Sequence, residues 1–296
     1  MRASATSFLD SETCNKGNSQ VSSLIQATTR KMSQVQNTED SIKHVMWLVH
    51  PLLSAIGAWP TNVTSSVLSK MLRWVLIFSI YSVQLAVIIP SLLYIILIVR
   101  SRKWMKVILP HLNSLYQVCK YTIVLWRHNE IRQLFDDLRN DCFNASEEDQ
   151  WIYKTRSTIG HRLMISFMIL LYTGGTGLRA ITPFLRGKII LPDNTTIRPL
   201  PSPGYFVFFN EQLTPNYEII FFVQVFCGFV NYTILSGTLG LCTMLCLHMC
   251  SMLRILGNKM KEFSNLSETD EDTVQKKITD IVEYHTKIKR WVFLFK

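Results

Sequence analysis

Long uncharged runs alternate with short, strongly charged segments along this chain. Residues 74–99 contain 26 positions without one charged side chain, which at ~1.5 Å per residue crosses a ~30 Å hydrocarbon layer with tilt. Pro90 falls inside this run, a defect that lipid tolerates when neighbouring helices cover the freed carbonyl. Residues 107–126 form a second, less apolar run interrupted by Pro110, His111 and Lys120; such a helix inserts only with partners over its polar face. Residues 163–185 are broken only by Arg179, and Gly174, Gly175 and Gly177 let another helix approach closely. The run 219–253 holds 35 uncharged residues, about 50 Å of helix, too long for one crossing and too short for two with a turn. It predicts one helix projecting beyond the membrane.

The pattern therefore predicts an all-α polytopic membrane bundle with four spans at about 74–99, 107–126, 163–185 and 219–249. An apolar stretch at 290–296 reads as the start of a fifth. The chain reads as cut at the mouth of that helix, a truncated product or gene model.

The charged segments orient the bundle. With the N-terminus in the cytosol, the inner segments hold 21 Lys and Arg and the outer ones seven, and basic residues are retained on the cytosolic side. Residues 1–41, rich in Ser, Thr, Asn and Gln, read as a disordered cytosolic N-terminus with no signal-peptide core. The transmembrane domain then covers 42–296. Ile131, Leu134, Phe135 and Leu138 recur at helical spacing among Arg127, Glu130, Arg132, Asp136 and Arg139, predicting an amphipathic cytosolic helix. Residues 185–216 carry five of the ten prolines and exclude a regular helix; a lid and a rigid connector are equally open readings. Val274, Ile278, Ile281, His285 and Ile288 alternate spacings of four and three, a helix with one packing seam.

Composition agrees: 48% hydrophobic, 18% charged, net charge +10. That charge is accounted for by inner loops facing anionic head groups, and the spacing carries no nucleic-acid motif. Of the sequons at Asn62, Asn144, Asn194 and Asn265, only Asn194 falls outside, so it alone of these is expected to be glycosylated. Cys242, Cys246 and Cys250 share a helix face near His248, but one helix spreads them over ~12 Å, so they fit packing rather than a metal. The glycines at 174–177 follow no strand and cannot be a phosphate loop. No protease, hydrolase or metalloenzyme motif is present, so no enzymatic activity and no cofactor is expected. Arg179 either snorkels to the interface or contacts an outward cavity.

Several segments, taken in order, resemble one family. Pro51-Leu-Leu-Ser-Ala-Ile-Gly57-Ala-Trp59-Pro60 resembles the Leu-Gly-x-Trp-Pro signature of insect odorant receptors. The charged stretch from Arg127 to Leu134 with Asp137, Leu138 and Asp141 is similar to the helix after that family's second span. Leu191-Pro192, Pro201 and Pro203, then Pro215-Asn-Tyr217-Glu218 with Gln224, resemble its outer loop, and His285 the histidine before its fifth span. The resemblance implies seven spans with the N-terminus inside, of which this chain holds the first four. It implies a tuning subunit of an odorant-gated cation channel that works with a co-receptor in the plasma membrane of olfactory neurons. A gustatory receptor shares that topology and stays open as an alternative; a G-protein-coupled receptor would place the N-terminus outside.

On this resemblance, a small volatile should bind between the outer halves of the second, third and fourth helices. Tyr116, Tyr172, Gly175, Thr176, Tyr217, Phe221 and Gln224 are the candidate lining, being aromatic, small or mildly polar at suitable depth. Plain helix packing is an equal alternative for each.

Overall fold

A computed structural model describes residues 42–43, 46–59, 66–97, 104–187, 189–190, 196–265 and 271–295. The polar segment 1–41, the sequons at Asn62 and Asn194, and Leu191-Pro192 lie outside them. Eight α-helices are described: α1 (Val49–Ala55), α2 (Val67–Leu97), α3 (Trp104–Trp126), α4 (His128–Phe143), α5 (Glu147–Leu170), α6 (Leu178–Arg186), α7 (Asn216–Ser264) and α8 (Glu271–Phe295). A π-helical segment, Leu171–Gly177, joins α5 to α6, and a two-residue hairpin, Ile189–Ile190 with Thr196–Ile197, rises from the outer loop.

Three helical stretches are long and apolar enough to cross a membrane: Val67–Leu97, Glu147–Leu185 and Asn216–Ser264. They contain the first, third and fourth runs of the sequence. The second run forms α3, whose 23 residues carry polar side chains that keep it below that apolar level. Its packing explains its composition. His111, Ser114, Gln117 and Tyr121 are buried at helical spacing while Leu109, Leu112, Ile123 and Trp126 face outward. α3 thus turns its polar stripe into the protein, the arrangement that lets a mixed helix sit in an apolar surrounding.

α7 is one unbroken helix of 49 residues, about 70 Å long. Every other layer packs on it. At its inner half, Leu53 of α1 is fully buried against the core with Ile234 and Leu241 of α7. The turn after α1 needs Gly57, whose φ of +66° is the left-handed region. The Gly57 carbonyl accepts from Arg73 Nε at 2.9 Å, and the Ile56 carbonyl accepts from the Tyr121 hydroxyl at 2.7 Å. Trp59 packs on Phe135, their rings 4.7 Å apart. The Gly-Ala-Trp segment is therefore a wedge locking α2, α3 and α4 together.

α4 is amphipathic as its spacing dictates, with Ile131, Leu134, Phe135 and Leu138 buried. Ser146 caps α5, accepting from the Asp149 amide at 3.2 Å, with Glu147, Glu148 and Asp149 in the first turn. Below them lies a buried ionic cluster. His248 Nε2 of α7 donates to Asp141 Oδ2 at 3.1 Å, and Lys287 Nζ of α8 pairs with Asp141 Oδ1. His248 is stacked on Tyr153, 5.1 Å away, and touches Trp291 at 4.8 Å. Burial alone would raise the Asp141 carboxyl, but the hydrogen bonds and charge of His248 and Lys287 carry it below the usual carboxylate range. The cluster ties α4, α5, α7 and α8 into one inner knot.

The seam of α8 differs by one position from its sequence reading. Ile288 and Trp291 are buried and Ile281 and Tyr284 partly so, whereas Ile278 and His285 are exposed. Spacings of three and four leave two registers open. The one adopted brings the Tyr284 hydroxyl to Tyr153 at 3.4 Å and Lys287 to Asp141. α8 also continues without a break through residue 290, so the apolar end belongs to the same helix.

Candidate outward ligand cleft

Where α6, the outer loop and the upper half of α7 meet, the helices part into a cleft of about 330 Å³. It is lined by Gly174, Gly175, Leu178, Arg179, Thr182, Pro183, Pro199, Leu200, Pro201 and Tyr232. The π-helical turn opens it. Seven residues wound with a wider turn, four of them Gly174, Gly175, Thr176 and Gly177, leave a wall with little side chain. Gly175 has a second role, since a Cβ there would collide with the Tyr232 ring.

A smaller void of about 20 Å³ adjoins the cleft and shares Arg179 and Pro201 with it. Ser91, His111, Ser114, Ser202, Gln224 and Asn231 supply its polar walls, and it has room for about one water. His111 is 5% exposed, and its Nδ1 has no hydrogen-bond partner among the described residues. Beneath, Gln84 Nε2 donates to Asn231 Oδ1 at 2.8 Å and the Cys227 thiol donates to Gln84 Oε1 at 3.4 Å. This buried network fixes α2 against α7 and sets the floor.

The loop over the cleft is tied down in two places. Gln224 accepts from the Ser202 amide through Oε1 at 3.0 Å and donates to the Ser202 carbonyl through Nε2 at 2.8 Å. The Tyr217 hydroxyl donates to the Pro199 carbonyl at 2.9 Å, while the Arg198 guanidinium stands 5.3 Å over the Tyr217 ring and pairs with Glu218 at 3.2 Å. Further in, the Tyr205 amide donates to the Pro90 carbonyl at 2.9 Å. The prolines stiffen a loop whose ends are pinned to α2 and α7.

The seven candidate residues are placed as follows. Gly175 lines the cleft and Gln224 the adjoining void. Tyr172 stands behind the glycine wall, bonded to Thr233 at 2.8 Å and packed on Phe229. The Thr176 hydroxyl is buried and has no hydrogen-bond partner among the described residues. Tyr217 anchors the loop, and Phe221 fills the space between Tyr217 and Phe184. Tyr116 is 58% exposed on the outer face of α3 under Lys120, and lines neither cavity. Helix spacing put Tyr116 at a suitable depth but could not choose its face; the buried stripe of α3 runs through His111, Ser114, Gln117 and Tyr121, and Tyr116 lies off it. Arg179, His111, Ser202, Asn231 and Tyr232 complete the site. Of these, Arg179 and His111 carried a sequence signal, as polar groups inside apolar runs.

Three other cavities are described, one of about 520 Å³ beside Glu147, Trp151 and Arg254. A second, at the inner end and about 30 Å³, is bounded by Ser157, Gly160, Met164, Met244 and Ser251. The third is an inner groove beside Trp47, Trp59, Arg132 and Arg139. Cys242, Cys246 and Cys250 are exposed free thiols on α7, and His248 points away from them to Asp141.

Residues 102–294 match the profile of the family described as 7tm odorant receptors. No curated protein sequence matches the chain. Among solved structures, the fold is similar to the insect olfactory receptor OR5 from Machilis hrabei in complex with eugenol, with a TM-score of 0.65 at 13% identity. That match covers 88% of this chain, and the chain spans 65% of the length of that receptor. A profile match across most of the chain, on an all-helical membrane bundle of the same fold, assigns it: the chain belongs to the insect odorant receptor family.

Proposed function

We propose that this chain binds small volatile odorants in the outward cleft. It acts as the tuning subunit of an odorant-gated cation channel, with a co-receptor, in the plasma membrane of olfactory neurons. The observation that carries the proposal is the cleft itself. It lies at the outer end, its volume of about 330 Å³ is at the small end of ligand pockets, and its walls combine the apolar Leu178, Pro183, Pro199, Leu200 and Pro201 with the polar Arg179, Thr182 and Tyr232. The inner cavity of about 30 Å³ is too small for such a ligand, and the inner groove of about 570 Å³, although larger than the cleft, is lined by four charged residues, Lys43, Arg132, Asp136 and Arg139, which suit an apolar volatile poorly. A solved relative in fold holds eugenol, a small aromatic odorant, which favours the same class of ligand here. Gly175 and Gln224 are the lining residues of the proposal, and Tyr172, Thr176, Tyr217 and Phe221 shape the walls from behind. Such a pocket discriminates weakly, since one methylene is worth only ~1–3 kcal/mol.

The test is a dose-response series in cells that also express the co-receptor, with surface labelling in parallel. Gly175→Val displaces Tyr232 into the cleft, and Gln224→Ala frees the loop at Ser202. Both should move half-maximal odorant concentrations by at least about tenfold with surface density unchanged. Unaltered curves for both variants contradict the proposed site.

A further inference from the structure

We infer that the cleft is tuned to volatile carboxylic acids, whose carboxylate seats on the Arg179 guanidinium. This rests on the odorant-binding proposal above and adds the chemical class of the ligand. Arg179 is the one charged residue lining either the cleft or the void. Among the described residues no carboxylate pairs with it; Glu218 of the loop anchor is held through Oε1 by Arg198 and by the Thr214 hydroxyl at 3.1 Å.

A guanidinium within a membrane bundle is costly without a counter-charge, and an interface arginine escapes that cost by reaching toward head groups. Arg179 is half-buried and sits seven residues below Arg186, the end of α6. Its side chain borders the void between α2, α3 and α7, so it faces the protein interior rather than lipid. An anion arriving from the cleft would meet a planar donor fork that accepts two oxygens at once. His111 lines the same void with an unpartnered, deeply buried Nδ1, a second polar group at the charged end. Leu178, Pro183, Pro199 and Leu200 line the same cleft and supply apolar surface for the hydrocarbon tail. The site thus sets one cation beside apolar side chains, the two features that a short fatty acid requires.

The experiment is isothermal titration calorimetry on the chain in phosphatidylcholine nanodiscs at neutral pH, with hexanoate and 1-hexanol as probes. Hexanoate should bind at least about tenfold more tightly than 1-hexanol. Arg179→Gln should erase that preference while 1-hexanol binding persists, and Arg179→Lys, which keeps the charge but loses the fork, should retain part of it. Equal affinities for the two probes, or a hexanoate preference that survives Arg179→Gln, overturn the inference. If 1-hexanol binds and Gly175→Val weakens it while hexanoate shows no advantage, the odorant cleft stands and the acid assignment alone falls. If neither probe binds, both fall.

Discussion

Replacing Asp141 with alanine removes the centre of the inner knot and leaves His248, whose side chain is 2% exposed, facing an empty space. An unsatisfied buried polar group costs ~1–3 kcal/mol. Lys287 is different, because at 43% exposure it regains water and its half of the pair is worth less than ~1 kcal/mol. Together the loss is about 1–4 kcal/mol, on the order of a 2–15 °C fall in apparent melting temperature for a chain of this size. Asp136→Ala is the matched control, since its carboxylate is 67% exposed and 3.9 Å from Arg132, a contact worth less than ~0.5 kcal/mol. The assay is size-exclusion recovery after heating in detergent, which reads an apparent midpoint even where unfolding is irreversible. The Asp141 carboxyl is depressed in the folded protein, so its stabilisation is complete above the unfolded pKa of about 3.9 and declines as pH falls through the folded value. The gap between wild type and Asp141→Ala should therefore stay constant from pH 7 to pH 5 as far as Asp141 is concerned. If Asp141→Ala melts with Asp136→Ala, the cluster does not hold the inner ends together.

Two further outcomes are expected. Gly57→Ala should cost about 1–2 kcal/mol in the same heating assay, because a left-handed residue with a Cβ is strained and that Cβ would lie 3.3 Å from Leu76 and 3.4 Å from Ile77; an unchanged midpoint contradicts the wedge. Glycan mapping in insect-cell microsomes should find sugar on Asn194 and none on Asn144 or Asn265, which lie at the turns after α4 and α7; the opposite pattern reverses the topology.

Uncharged run length fixed the helices most firmly. The 35-residue run at 219–253 led to a single helix because no other geometry fits that length, and α7 is that helix. Amphipathic spacing likewise located α4, whose four apolar positions are all buried. Where two registers satisfy the same spacing, sequence alone was insufficient. Ile278 and His285 in α8 lost to Tyr284 and Trp291 because the partners that decide, Tyr153 and His248, are more than 40 positions distant. The same limit hid most of the site. Gln84 meets Asn231 across 147 positions and Gln224 meets Ser202 across 22, pairings that no local pattern encodes. α3 misled for a chemical reason, since its polar face was the inner one and Tyr116 fell on the other side.

The central claim is that an odorant enters from outside and rests between the π-helical turn, the proline loop and α7. Photolabelling with a diazirine derivative of a volatile ligand, followed by mass-spectrometric mapping, tests it directly. The expected adducts fall on the peptides containing Gly174 to Pro183, Pro199 to Pro201 and Tyr232, and excess unlabelled ligand suppresses them. Saturable labelling confined to the inner cavity, at Ser157, Gly160, Met164 or Met244, would contradict the account.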